Sequence, residues 1–203
     1  MATSKYKSLI PKSQSGKPEF SRAEYTMIQH DKVALLNDAA ERSPGYSHLA
    51  WIDFGAIRSQ WYAPSNIDLC KLPSHKALAS SADTIIDEFE PVSPFDMFNQ
   101  PKTISPETGT YTSRFPKDAI CGTTLFLPRE LVPRIRNLYE AELRRWQALG
   151  VAHYDQAMFL QLHKASNGSL FHLWSPPTCV KGGLLRCRTI FPYYLNHERA
   201  VCK

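Results

Sequence analysis

A chain of 203 residues with 43% hydrophobic content can bury one core, and a second domain is not expected. Its formal net charge of +5 and pI near 8.9 favour phosphate-bearing ligands but lack the concentrated basicity of a nucleic-acid binder. No apolar run approaches the ~18 residues that span a bilayer, and no apolar segment follows the basic N-terminal residues, so a soluble, cytoplasmic or similarly placed chain without signal peptide is expected.

Residues 1–20 are rich in Ser, Lys and Pro and read as an irregular basic arm ahead of a domain over 21–203. Residues 24–29 (Glu-Tyr-Thr-Met-Ile-Gln) read as a strand. Residues 31–42 read as a helix with Val33, Leu35, Leu36 and Ala39 or Ala40 on its apolar side, and Asp31 as its cap. Ser43-Pro44-Gly45 stops that helix, and residues 49–53 form the next strand. Strand, helix and strand in roughly 30 residues is the size of one βαβ unit, with two parallel, neighbouring strands.

That second strand ends in Trp51-Ile52-Asp53-Phe54-Gly55, an apolar run closed by one carboxylate. Ligands of open α/β sheets gather outside the carboxyl ends of strands, where an aspartate can hold a divalent cation or orient a sugar hydroxyl. It can equally cap a turn. Between residues 63 and 115 prolines recur at 64, 73, 91, 94, 101 and 106, which predicts long loops and little regular structure beyond a brief strand at 85–90. Asp68, Asp83 and Asp87 there are most simply surface groups.

Residues 119–127 have strand composition with Gly122 inside, which marks either a bulge or a place where a ligand or another backbone comes close. The clearest helix follows: Pro128 suits its first turn, Leu131, Ile135, Leu138, Tyr139, Leu143, Trp146 and Leu149 recur at three- and four-residue steps, and Gly150 ends it. A second helix starts around His153-Tyr154-Asp155-Gln156, with Asp155 placed to cap its N-terminus or to serve a site there. The tail holds a short strand at 170–174 containing His172. After it come a loop with Lys181 and Gly182-Gly183, then Arg186, Arg188 and His197. Cys70, Cys121, Cys179, Cys187 and Cys202 form no Cys-x-x-Cys pair, which argues against a disulfide framework or a structural zinc site.

The run Trp51 to Gly55, preceded by a helix near Lys32 and followed much later by Asp155-Gln156, resembles the HtrL/YibB-like proteins. More loosely it is similar to nucleotide-sugar glycosyltransferases of the GT-A fold, over residues 24–60 and 118–175. The resemblance implies an α/β fold of the Rossmann-like GT-A type: a single-domain three-layer sandwich with a mostly parallel central sheet. It implies transfer of a sugar from a nucleotide-sugar donor to a hydroxyl acceptor with Mn or Mg. Asp53 would bind the metal, and Asp155 would handle the acceptor proton or the donor sugar. Gly122 and Gln156 would lie at the sugar, with Lys181, Arg186 and Arg188 at the diphosphate. GT-A enzymes commonly carry Asp-x-Asp where this chain has Asp53 and Gly55, so a late histidine, His172 or His197, becomes the candidate second ligand. Two other classes stay open: a non-catalytic carbohydrate- or nucleotide-binding domain on the same scaffold, and a basic nucleic-acid-associated protein. No specific nucleic acid is expected for the glycosyltransferase.

Overall fold

The computed structural model of the chain describes residues 23–53, 68–81, 103–104, 111–112, 120–148 and 155–174. Helix α1 spans Ala23–Arg42, β1 His48–Ile52, β2 Ala77–Ser81, β3 Thr103–Ile104, β4 Tyr111–Thr112, β5 Ile120–Pro128, α2 Val132–Ala148, α3 Asp155–Ala165 and β6 Phe171–Trp174. Short 3-10 turns at Leu69–Lys71 and Arg129–Leu131 precede β2 and α2.

The expected strand at 24–29 is instead the first half of α1. Its β-prone Tyr, Thr and Ile are overridden because Thr26, His30, Val33, Asn37 and Ala40 recur at three- and four-residue steps and are all buried. Three of those five are polar, which hides the helical period from a hydrophobicity reading. His30 Nδ1 meets the Tyr139 hydroxyl of α2 at 2.7 Å, so this stripe is satisfied by a partner helix. Asp31 is therefore an exposed residue inside the helix and caps nothing.

Four strands form one sheet in the order β1-β5-β2-β6. β5 is antiparallel to both β1 and β2, and only β2 and β6 run parallel. The described residues thus make a mixed α/β fold without the expected parallel pair at its start, and its sheet is not mostly parallel. With 24–29 helical, the described residues before Asp53 form no βαβ unit. β1 pairs instead with β5, and Leu49 and Trp51 pack against the core as β1's share of the sheet's inner face. β3 and β4 form a separate two-stranded ribbon.

The three described helices share one core with one face of the sheet. Val33, Leu36 and Ala40 of α1, Ile135, Tyr139 and Trp146 of α2, and Met158, Phe159 and Leu162 of α3 close over Ala77, Ala79, Leu125, Leu127 and Phe171. On the opposite face Leu78 and Phe126 pack with Leu72 and Trp174. β2 was not expected: it is built of Ala, Leu and Ser, and every residue in it is buried, so it shows no alternation. Leu138, counted among the apolar positions of α2, is 39% exposed.

Two local features bear on the site. The pairing of β2 with β5 jumps from Ala79↔Leu125 to Ser81↔Ile120, so β5 carries extra residues between them. That irregularity lets Ile120 share the inner core with Leu125 and Leu127 although its parity differs, and it re-aims Gly122 as bulges do. At the other end of the strand, Arg129 donates from Nε to the Ala40 carbonyl at 3.0 Å and closes the C-terminus of α1. Cys121 on β5 is disulfide-bonded, while Cys70 is free and exposed.

Candidate functional site

Sheet and helices place three of the singled-out positions around one amine. Lys32 sits on α1 at four-residue steps with Leu36 and Ala40, so its side chain enters the buried side of the helix. There its Nζ lies 2.8 Å from Asp155 Oδ2 and 3.2 Å from Asp53 Oδ1, and it donates to the Gly122 carbonyl at 2.9 Å. Asp53 follows the last residue of β1 and stays beside β5 through its N–H, which donates to the Thr123 carbonyl at 2.8 Å. Asp155 is the first residue of α3. Residues more than a hundred positions apart in the chain therefore converge on a single charge.

The three charged groups differ in access. The side chains of Lys32 and Asp155 are 5% and 2% exposed, whereas that of Asp53 is 35% exposed. Asp53 is the carboxylate a ligand would meet, and Asp155 lies beneath it. Trp51, two residues before Asp53 and on the same strand face, donates from Nε1 to Asp53 Oδ1 at 2.6 Å and holds its ring 5.5 Å from the Lys32 ammonium. Asp155 Oδ1 accepts from the Gln156 N–H at 2.9 Å, as a carboxylate at a helix start does. The other oxygen of Asp155, Oδ2, is buried and faces the Lys32 ammonium at 2.8 Å.

Burial opposes charge on both buried groups. For Lys32 it pulls the pKa down, but the carboxylates of Asp155 and Asp53 outweigh it and hold the amine above its usual range. For Asp155 burial pushes the pKa up, and the attraction of Lys32 offsets only part of that rise. Lys32 is thus a fixed cation, and Asp155 is a carboxylate whose ionisation depends on that lysine.

Gly122 is required by packing here. A Cβ at this position would collide with Asp155 Oδ2, so the close approach that a glycine inside a strand can mark is that of a carboxylate. The half-buried Gln156 enters through its backbone N–H. Asp68 caps the 3-10 turn before β2 by accepting from the Cys70 N–H, away from this cluster. Lys181, Arg186, Arg188, His197, His153, Asp83 and Asp87 lie outside the described residues.

His172 does not join Asp53. It stands on β6, in register with Leu78, Phe126 and Ala50 across the sheet. Three strand spacings separate it from β1, roughly 14 Å. It also shares the face of Leu78 and Phe126, opposite the helices. Among the described residues no group of three or more His, Cys, Asp or Glu could hold a metal ion.

Lys32 is the member that sequence reasoning did not assign to the site. The available signal was its four-residue spacing to Leu36 and Ala40, which places a lone cation on a buried stripe. A concavity of about 400 Å³ lies away from this cluster, at the C-terminal end of α1 between Asn37, Glu41, Tyr46 and Arg129. Compared with known proteins, the chain matches no family model, no curated protein and no solved structure.

Proposed function

We propose that the chain binds a nucleotide sugar at the open edge of the Lys32–Asp53–Asp155 cluster and transfers the sugar to a hydroxyl acceptor. The observation that carries this reading is the convergence of Asp53, Gly122 and Asp155, from three separate segments, on the Lys32 amine. In this scheme the accessible Asp53 accepts hydrogen bonds from ligand hydroxyls, and Trp51 fixes its orientation. Asp155 acts through Lys32, holding the amine in place, because it is too deeply buried to receive an acceptor proton directly. Lys32 is committed to Asp53, Asp155 and the Gly122 carbonyl, so Lys181, Arg186 and Arg188 are the candidates to stabilise the charge that develops on the leaving diphosphate.

The test is a thermal-shift panel of nucleoside diphosphates and nucleotide sugars on the full chain and on Asp53→Asn. A ligand at 100 times its Kd stabilises the parent by about 2.7 kcal/mol. That gain should vanish in Asp53→Asn, whose own Tm should stay near the parent's. Silence of the parent across the panel would defeat the reading. The burial of Asp155 also favours a second reading, a carbohydrate- or nucleotide-binding domain without transfer. Ligand stabilisation with no release of nucleoside diphosphate in the presence of sugar acceptors would decide for it.

A further inference from the structure

The resemblance to metal-dependent transferases implies a divalent cation at Asp53, and the donor set among the described residues disagrees. Asp53 Oδ1 is taken by the Trp51 indole at 2.6 Å and faces the Lys32 ammonium at 3.2 Å, while Oδ2 accepts from the same ammonium at 3.4 Å. Asp155 Oδ1 is taken by the Gln156 N–H, and Oδ2 faces Lys32 at 2.8 Å. The Gly122 carbonyl also accepts from Lys32. An ammonium has three protons to donate, and here it has three residues offering oxygen. Calcium or magnesium would need six or more oxygens at roughly 2.0–2.6 Å, and would stand against a positive charge that already occupies the space between them.

Lys32 is also no mobile counter-ion. Its stem is anchored in a helix packed into the core, and the Trp51 ring flanks its amine. We propose that the Lys32 ammonium is the resident cation of this site, standing where a divalent ion would, and that the site takes its ligand without metal. The identity of that ligand rests on the glycosyltransferase reading; the place of the cation does not.

Manganese itself is the probe, followed by the EPR signal of the free hexaaqua ion as it is titrated into the full chain. The parent should show no uptake that Asp53→Asn removes, up to about millimolar metal, the weak end of protein sites for hard divalent cations. Lys32→Ala vacates the amine and leaves two carboxylates and a carbonyl around the gap, so it should take up Mn about tenfold or more tightly than the parent. One equivalent bound by the parent at micromolar metal and lost in Asp53→Asn overturns the proposal, as does a folded Lys32→Ala chain that gains no affinity. If Lys32→Ala fails to fold, the comparison of the parent with Asp53→Asn still decides. Nucleotide-sugar stabilisation abolished by EDTA and restored by Mn would also overturn it while leaving the transferase reading intact. No nucleotide-sugar binding together with no Asp53-dependent Mn uptake would remove that reading and leave this one standing.

Discussion

Among the described residues basic groups pair with carboxylates in two settings, on the outer face of α2 and beneath the end of β1. On α2, Arg136 meets Glu140 at 2.8 Å and Arg145 meets Glu142 at 3.0 Å, at the i,i+4 and i,i+3 spacings a helix provides, with most of these side chains open to water. At the cluster, Lys32 meets Asp155 at the same 2.8 Å with both side chains buried. Equal distances carry different consequences because solvent can replace a lost partner in the first case and not in the second. Exposed pairs are worth little, whereas removing one member of a buried pair strands the other charge.

The largest expected effect is therefore Lys32→Met, which should destabilise the fold by about 3–5 kcal/mol, read from urea unfolding near neutral pH. The pH dependence fixes the cause. Asp155 has a folded pKa raised by burial, so its favourable contribution is present below its unfolded value and is lost as pH rises through the folded one. Without Lys32 the folded pKa climbs further, and the deficit of the variant should shrink in mild acid and widen toward pH 8. Lys32 has a raised pKa as well, so its own contribution holds at neutral pH and is lost only as pH rises through a value above 10.5. A deficit under about 1 kcal/mol at neutral pH, the range of an exposed pair, would mean that the cluster behaves like the surface pairs of α2.

The same contrast explains which parts of the chain were legible in its sequence. α2 buries apolar residues and leaves its charges in water, so periodicity alone marks it, and the helix observed at Val132–Ala148 lies within the one expected. β5 and β6 likewise carry strand composition and lie where expected. The first half of α1 buries Thr26 and His30, and β2 buries serines, so both conceal their period or face. At the site, Asp53, Gly122 and Asp155 stand out by their positions at a strand end, inside a strand and at a helix start. Lys32 does not, because a lysine in a helix is ordinarily solvated, and only the fold shows that its partners arrive from the end of β1, from β5 and from the start of α3. The antiparallel pairing of β1 with β5 was equally hidden, since it joins segments separated by a long stretch rich in proline.

A smaller expected effect tests packing at the cluster apart from its charge. Gly122→Ala places a methyl group against Asp155 Oδ2, and that carboxylate is held by Lys32 and by the Gln156 N–H, so it has little freedom to yield. Overpacking of this kind costs about 1–3 kcal/mol. Combining Gly122→Ala with Asp155→Ala should be less destabilising than the sum of the two, since the collision disappears with the carboxylate. Simple additivity would show that the glycine answers to something other than Asp155.

The smallest effect lies on α2, where one ion pair has two unequal ends. Arg145 donates to both oxygens of Glu142 from its Nε, at 3.1 and 3.0 Å, and is half exposed. Glu142 is less exposed and also accepts from Trp146 Nε1 at 2.9 Å, and Trp146 is fully buried. Arg145→Ala should change stability by less than about 0.5 kcal/mol, because water replaces an exposed guanidinium and alanine is a strong helix former. Glu142→Ala should cost about 1 kcal/mol more, since it removes an acceptor from a buried indole, and Glu142→Gln, which keeps an amide oxygen there, should recover most of the difference. Thermal unfolding of the three variants gives the order directly. If Arg145→Ala proved as damaging as Glu142→Ala, the attraction between the charges would dominate even on this exposed face, and burial would no longer explain the contrast with Lys32.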